Sequence, residues 1–201
     1  MYNAVTVRHY PSAPVERAEI LRYAGVRQST PVIEETLQDC LRRSEGQFAG
    51  AACYAVYPVQ VRGETVDLGF VTVPSRNLAK ALAGCDRAAV FAATAGMAVD
   101  RLIRAAELTD LAGALLLQAI GTAQIERICD TLCGELAEQF AAEGCRTRPR
   151  FSPGYGDLPL TMQTDLFTAL NVTKHIGVTL TEALLMVPSK SVTAIVGIGQ
   201  E

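Results

Sequence analysis

Residues 150–160, Arg-Phe-Ser-Pro-Gly-Tyr-Gly-Asp-Leu-Pro-Leu, hold the most distinctive chemistry of the chain. Ser152-Pro153-Gly154-Tyr155 has the composition of a type II turn. Proline fixes φ at the second position, and glycine accepts the positive φ required at the third. Such a turn holds Arg150 and Tyr155 close together. A guanidinium grips a carboxylate through two parallel hydrogen bonds. A tyrosine ring offers an apolar face with a polar tip. The pair suits a small zwitterionic ligand with a flat or cationic portion. Gly154 would also let the backbone approach such a ligand closely, although the turn alone accounts for Pro153 and Gly154.

Each other candidate has a structural reading beside the chemical one. Arg150 could bond loop carbonyls or a nearby acid such as Asp157. Asp157 suits the N-cap of a helix starting near Pro159 as well as a ligand contact. Ser152 divides in the same way. Lys190, beside Ser189, could meet a phosphate or a carboxylate, or simply be solvated. No acid–base dyad or nucleophilic catalyst is expected. Cys129 and Cys133 stand at i, i+4, but the next position of an iron–sulfur triplet is Leu136, so core packing is the better reading. His9 and His175 are isolated, and no metal site is expected. Gly197-x-Gly199 lies at the end of the chain, without the strand-to-helix context of a dinucleotide-binding loop. No Gly-x-Ser-x-Gly elbow is present.

Periodicity supplies the elements that must position these residues. A short strand is expected over residues 3–8, and Pro14 can open a helix. Thr30-Pro31 caps a second helix, with Ile33, Leu37 and Leu41 on one face to about Ser44. Residues 51–61 and 65–73 read as a hairpin turning at Arg62-Gly63-Glu64, with Pro58 at an edge or bulge. Ser75 caps a short helix to Leu82, and residues 88–94 form a buried strand. A helical block runs from Met97 to about Glu143, broken near Asp110 and closed by Gly144. Residues 145–158 read as a loop, 159–170 as a helix, and 176–199 as two strands flanking Pro188. The expected class is α+β: a mostly antiparallel sheet packed with helices in one domain over residues 1–201.

Composition narrows the function classes. With 201 residues and 49% hydrophobic content, the chain can bury one sizeable core. A net charge of -3 argues against nucleic acid as the partner. No apolar run reaches the length of a membrane span, and residues 1–14 lack the apolar core of a signal peptide, so a cytoplasmic location is the expectation. The six cysteines are expected as free thiols.

Arg150-x-x-x-Gly154-Tyr155, preceded by Arg148-Pro149, resembles the S-adenosylmethionine-binding loop of the activation domain of cobalamin-dependent methionine synthase. Leu180-Thr-Glu-Ala183 and Met186-Val-Pro-Ser-Lys-Ser-Val192 resemble a later stretch of that domain. Ile20-Leu-Arg-Tyr-Ala-Gly25 is similar to a segment of its stand-alone version, an activation subunit separate from the synthase. The likeness is loose over residues 14–199 and close over 148–198. It implies a bent antiparallel sheet and a reactivation role. The domain would bind S-adenosylmethionine and present its methyl group for reductive methylation of cob(II)alamin, with cobalamin carried by the partner. It implies Arg150, Pro153, Gly154 and Tyr155 as donor-binding residues, with Arg150 on the carboxylate and Tyr155 towards cobalt. Ser152, Asp157, Glu182 and Lys190 are secondary candidates. Its implied partners are a cobalamin-binding methionine synthase or related corrinoid protein and a flavodoxin-like electron donor. Such a chain would be an accessory subunit of a methyltransferase in methionine biosynthesis. The resembled domain carries aromatic residues where Val196 and Gly197 stand here. That difference motivates an alternative, a corrinoid-protein docking or chaperone module that does not bind the donor. A small-molecule methyltransferase independent of corrinoid is a third reading.

Overall fold

A computed structural model describes residues 4–12 and 14–200. Its elements alternate strands and helices along the chain. Strand β1 (Thr6–Pro11) precedes helices α1 (Arg17–Tyr23) and α2 (Pro31–Ser44). Strand β2 (Ala49–Pro58) leads into three short strands, β3 (Gln60–Arg62), β4 (Thr65–Asp67) and β5 (Thr72–Pro74). Helix α3 (Arg76–Ala81), strand β6 (Arg87–Thr94), helix α4 (Met97–Glu107) and helix α5 (Leu111–Ala141) follow. The last part holds β7 (Cys145–Thr147), α6 (Met162–Leu170), α7 (Val172–Ile176), β8 (Thr179–Leu180), β9 (Met186–Val187) and β10 (Ser191–Gln200).

The main sheet has the order β1-β2-β6-β10-β7, and every pairing is antiparallel. The α+β expectation holds. Both faces of the central strands are buried, which explains why residues 88–94 read as an unbroken apolar run. Ala89, Phe91 and Ala93 join Ala52 and Tyr54 against a layer that includes α1, α2, α4 and α5. Ala88, Val90 and Ala92 join Cys53, Ala55 and Tyr57 against the other layer, built from β3 to β5, α3, α6 and α7. The sheet is the shared middle of a three-layer core. Alanine is frequent along its strands, and small side chains let the 31-residue α5 pack against them.

Local signals set the helix starts. Thr30 Oγ1 accepts from the Ile33 amide, and Pro31 follows as the first helical residue. Asp110 Oδ1 accepts from the Gly113 amide at 2.8 Å, so the break between α4 and α5 is a true N-cap. Cys129 is buried in the α5 face and Cys133 packs beside it, as core residues. All six cysteines are free.

Several expectations change, and the helix expected to open at Pro14 begins instead at Arg17. The first strand is shifted later, to Thr6–Pro11, and its expected start at Asn3 lies outside the described residues. The expected long hairpin divides. β2 pairs with β1 and β6, while the turn at Gly63, with φ of 64°, joins β3 and β4 in a separate three-stranded sheet. The loop after α5 begins with β7, which pairs only with residues 198–200 of β10. The stretch before Pro188 is a two-residue pair, β8 with β9, preceded by the short α7.

Candidate functional site

The site forms where the edge of β10 is left uncovered. β7 protects residues 198–200 of that edge. The chain then runs on beside it. The Arg148 amide donates to the Gly197 carbonyl at 2.8 Å, and Phe151 exchanges both backbone bonds with Ile195. At Ser152 the chain turns away, and among the described residues no strand lies beside residues 191–193 on that side. Because alternate residues of a strand direct their amide and carbonyl to the same side, Ser191 and Thr193 present theirs to the same edge as Ile195.

A groove of about 780 Å³ occupies this opening. Arg150, Phe151, Ser152, Pro153 and Tyr155 form one wall. Glu126 reaches it from α5, and Gln163 from α6. Residues 184–187 and the first three residues of β10 close the other side. The groove therefore draws on both helical layers. Its lining is largely apolar, with Leu184, Met186, Val187 and Val192 among the residues and a guanidinium at one end.

The turn has the expected form. The Tyr155 amide donates to the Ser152 carbonyl at 3.2 Å, and Gly154 has φ of 90°. Pro153 is buried, whereas Tyr155 is 68% exposed at the groove rim. Gly154 itself faces Leu160, and a Cβ there would fall 3.3 Å from its Cδ1.

Arg150 is anchored by α5 rather than by Asp157. Its Nη1 donates to Asp130 Oδ1 at 2.5 Å, and its Nη2 donates to Glu126 Oε2. Burial would lower the Arg150 pKa, but the hydrogen bond to Asp130 and the two nearby carboxylates outweigh it and hold the guanidinium firmly charged.

The secondary candidates separate. Ser152 lines the groove. Asp157 points away and caps a different helix from the one expected. Its carboxylate accepts from Ser75 Oγ at 2.5 Å and from the Arg76 and Asn77 amides at 2.8 and 3.1 Å, at the start of α3. Those bonds, Ser75 first, hold its pKa below the usual carboxylate range. The helix after Pro159 starts at Met162 and has no side-chain cap. Glu182 is exposed in the turn between β8 and β9 and does not line the groove. Lys190 lies across α5, with Nζ donating to Thr122 Oγ1 at 3.1 Å and its stem over Gly121. Burial pushes its pKa down, and the charge of Asp100 opposes that shift.

Several contributors had no signal in the sequence. Gln163 donates from Nε2 to the Leu184 carbonyl and accepts from Thr193 Oγ1, tying the β8–β9 turn to β10. The largely buried Asp100 accepts from the Ser189 amide at 2.7 Å and from Ser189 Oγ at 2.6 Å, which fixes the loop into β10. Glu126 was marked only by being charged among the apolar positions of α5. Val196 and Gly197 lie outside the groove. Val196 is buried towards the α5 layer, and Gly197 packs against Leu82 and Cys85.

Residues 78–201 match the sequence model of a family described as vitamin B12 dependent methionine synthase, activation domain. The crystal structure of the MetH reactivation domain bound to AdoHcy is similar in fold, with a TM-score of 0.65 and 18% identity. The likeness covers 96% of this chain and 78% of that one. No curated protein matches this chain. Among the described residues no helix is long and apolar enough to cross a membrane.

Proposed function

The chain belongs to the family of vitamin B12 dependent methionine synthase activation domains, and from that premise we propose that it binds S-adenosylmethionine in the β10 groove and presents the methyl group to a cobalamin held by a partner protein. The observation that carries this reading is the placement of Arg150 and Tyr155 on one wall of a largely apolar groove. A charged fork suits the carboxylate of the donor, and the apolar lining suits its flat nucleoside. The similar MetH reactivation domain was crystallised with AdoHcy, which shares both portions.

When bound, S-adenosylmethionine would supply the methyl group that the cobalamin of the partner would accept. This chain contributes position. Arg150 anchors the amino-acid end, the buried Pro153 and the 152–155 turn shape the wall, and the exposed Tyr155 stands where a docking surface would meet the groove. The site needs no catalytic residue or metal ligand of its own for such a role. The partner on this reading is a cobalamin-binding methionine synthase or related corrinoid protein, with a flavodoxin-like protein as electron donor. The similarity of residues 20–25 to the stand-alone version supports action as a separate cytoplasmic subunit. The alternative of a docking or chaperone module is motivated by Val196 and Gly197, and neither residue lines this groove.

Calorimetric titration with S-adenosylmethionine tests the donor site. Saturable binding is expected, alone or with a cobalamin-loaded partner. No binding at millimolar donor in either setting overturns the reading. Recovery of methylcobalamin on the partner, with and without this chain, tests the role.

A further inference from the structure

Arg150 already holds two carboxylates of its own chain. Nη1 is bonded to Asp130 and Nη2 to Glu126, one helical turn apart on α5. One guanidinium between two acids leaves a surplus negative charge at this end of the groove. A ligand carboxylate arriving there meets a fork whose two terminal nitrogens are engaged, and it meets like charge. Two of the five N–H donors are taken in this way, so a ligand carboxylate that grips the terminal fork competes with these acids for it.

The two acids differ in their freedom to withdraw. The Asp130 side chain is 72% exposed and lies outside the groove, so water can solvate it as it leaves. The Glu126 side chain is 33% exposed and lines the groove. Its charge faces the groove, where it would attract an ammonium or sulfonium.

We propose that Asp130 is an internal stand-in for the ligand's carboxylate, displaced from Arg150 on binding, while Glu126 stays and keeps the guanidinium aimed into the groove. This rests on the donor-binding reading above. It makes Asp130 a residue that sets affinity by competition and Glu126 a positioning residue with a second, direct attraction for the cationic portion. The two acids then have opposite effects, although they make similar bonds.

The test titrates the wild-type protein, Asp130→Asn and Glu126→Gln with S-adenosylhomocysteine and with 5′-methylthioadenosine. The second probe has the nucleoside but no amino-acid end. In parallel, mass spectrometry follows the rate at which phenylglyoxal modifies Arg150 in the ligand-free proteins. Asp130→Asn is expected to tighten S-adenosylhomocysteine by about two- to fivefold, the span of an exposed ion pair. It should leave 5′-methylthioadenosine unchanged and speed modification of Arg150, and Asp130→Glu should restore wild-type behaviour. Glu126→Gln should weaken S-adenosylhomocysteine. If the wild type binds S-adenosylhomocysteine and Asp130→Asn binds it equally or more weakly, competition is overturned and donor binding stands. If no variant binds either probe, donor binding falls and the modification rate decides. A faster rate in Asp130→Asn keeps the stand-in, and an equal rate overturns it.

Discussion

Arg150 and Asp157 show how two charged residues in one loop take different work. Arg150 faces the groove and is held by acids from α5. On the donor-binding proposal, replacing it by alanine would remove a charge-assisted contact to the donor, which costs roughly 1.5–3 kcal/mol. Affinity for S-adenosylmethionine should fall about ten- to a hundredfold, read by calorimetry. Arg150→Lys keeps the charge without the fork and should fall between the two. Asp157 instead fastens the loop to α3 through three hydrogen bonds. Its folded pKa is depressed, so its stabilising contribution is present above its unfolded pKa and is lost as pH falls through the folded value. Asp157→Asn should therefore flatten the loss of thermal stability below about pH 4 and leave the neutral-pH binding of 5′-methylthioadenosine close to wild type. An unchanged acid limb would contradict this assignment. The turn at 152–155 was legible from sequence because proline and glycine dictate it locally. Glu126, Gln163 and Asp100 were not, because their roles depend on partners 24, 21 and 89 positions away.

At the scale of elements, β10 decides where the site is. It pairs with β6 along nearly its whole length and with β7 only at its end, so its outer edge is sheltered at 198–200 and open at 191–193. The two glycines near that sheltered end are packing residues. A Cβ at Gly197 would lie 2.7 Å from Cys85 Sγ, and one at Gly199 would collide with the Gly84 carbonyl. A side chain can swing aside, but the backbone at Gly84 cannot move without disturbing the turn into β6. Gly199→Ala should thus destabilise the protein by about 1–3 kcal/mol, the usual cost of overpacking. Urea unfolding measures this, and a loss under about 0.5 kcal/mol would show that the 84–85 turn yields. Helices α2 and α3 and the central strand were legible because caps and apolar runs announce them, whereas α6 and α7 begin without a side-chain cap. The pairing of β2 was not. Alternating valine and tyrosine favour a strand without naming its neighbour, and β2 took β1 and β6 in place of the nearer β4. β7 and the β8–β9 pair are too short for any propensity to mark, and they exist because an adjacent strand or turn receives them.

At the scale of the whole molecule, the sheet joins two layers that each supply part of the groove. Glu126 comes from the α5 side, Gln163 from the α6 side, and Thr193 from the strand between. Tyr54 and Phe91 are buried on one face of the sheet while Cys53 and Val90 are buried on the other. Loss of either layer would expose one whole face of β2, β6 and β10, so the layers should unfold together. Ligand bound in the groove then stabilises everything at once. At a concentration about one hundred times its Kd, a ligand that binds only the native state adds about 2.7 kcal/mol. For a chain of this size each kcal/mol moves Tm by about 2–4 °C. Saturating S-adenosylhomocysteine should accordingly raise a single calorimetric transition by about 5–10 °C, and Arg150→Ala should reduce that shift at the same ligand concentration. Two transitions, only one of them moved by ligand, would mean that the layers are energetically separate and that the groove belongs to one of them.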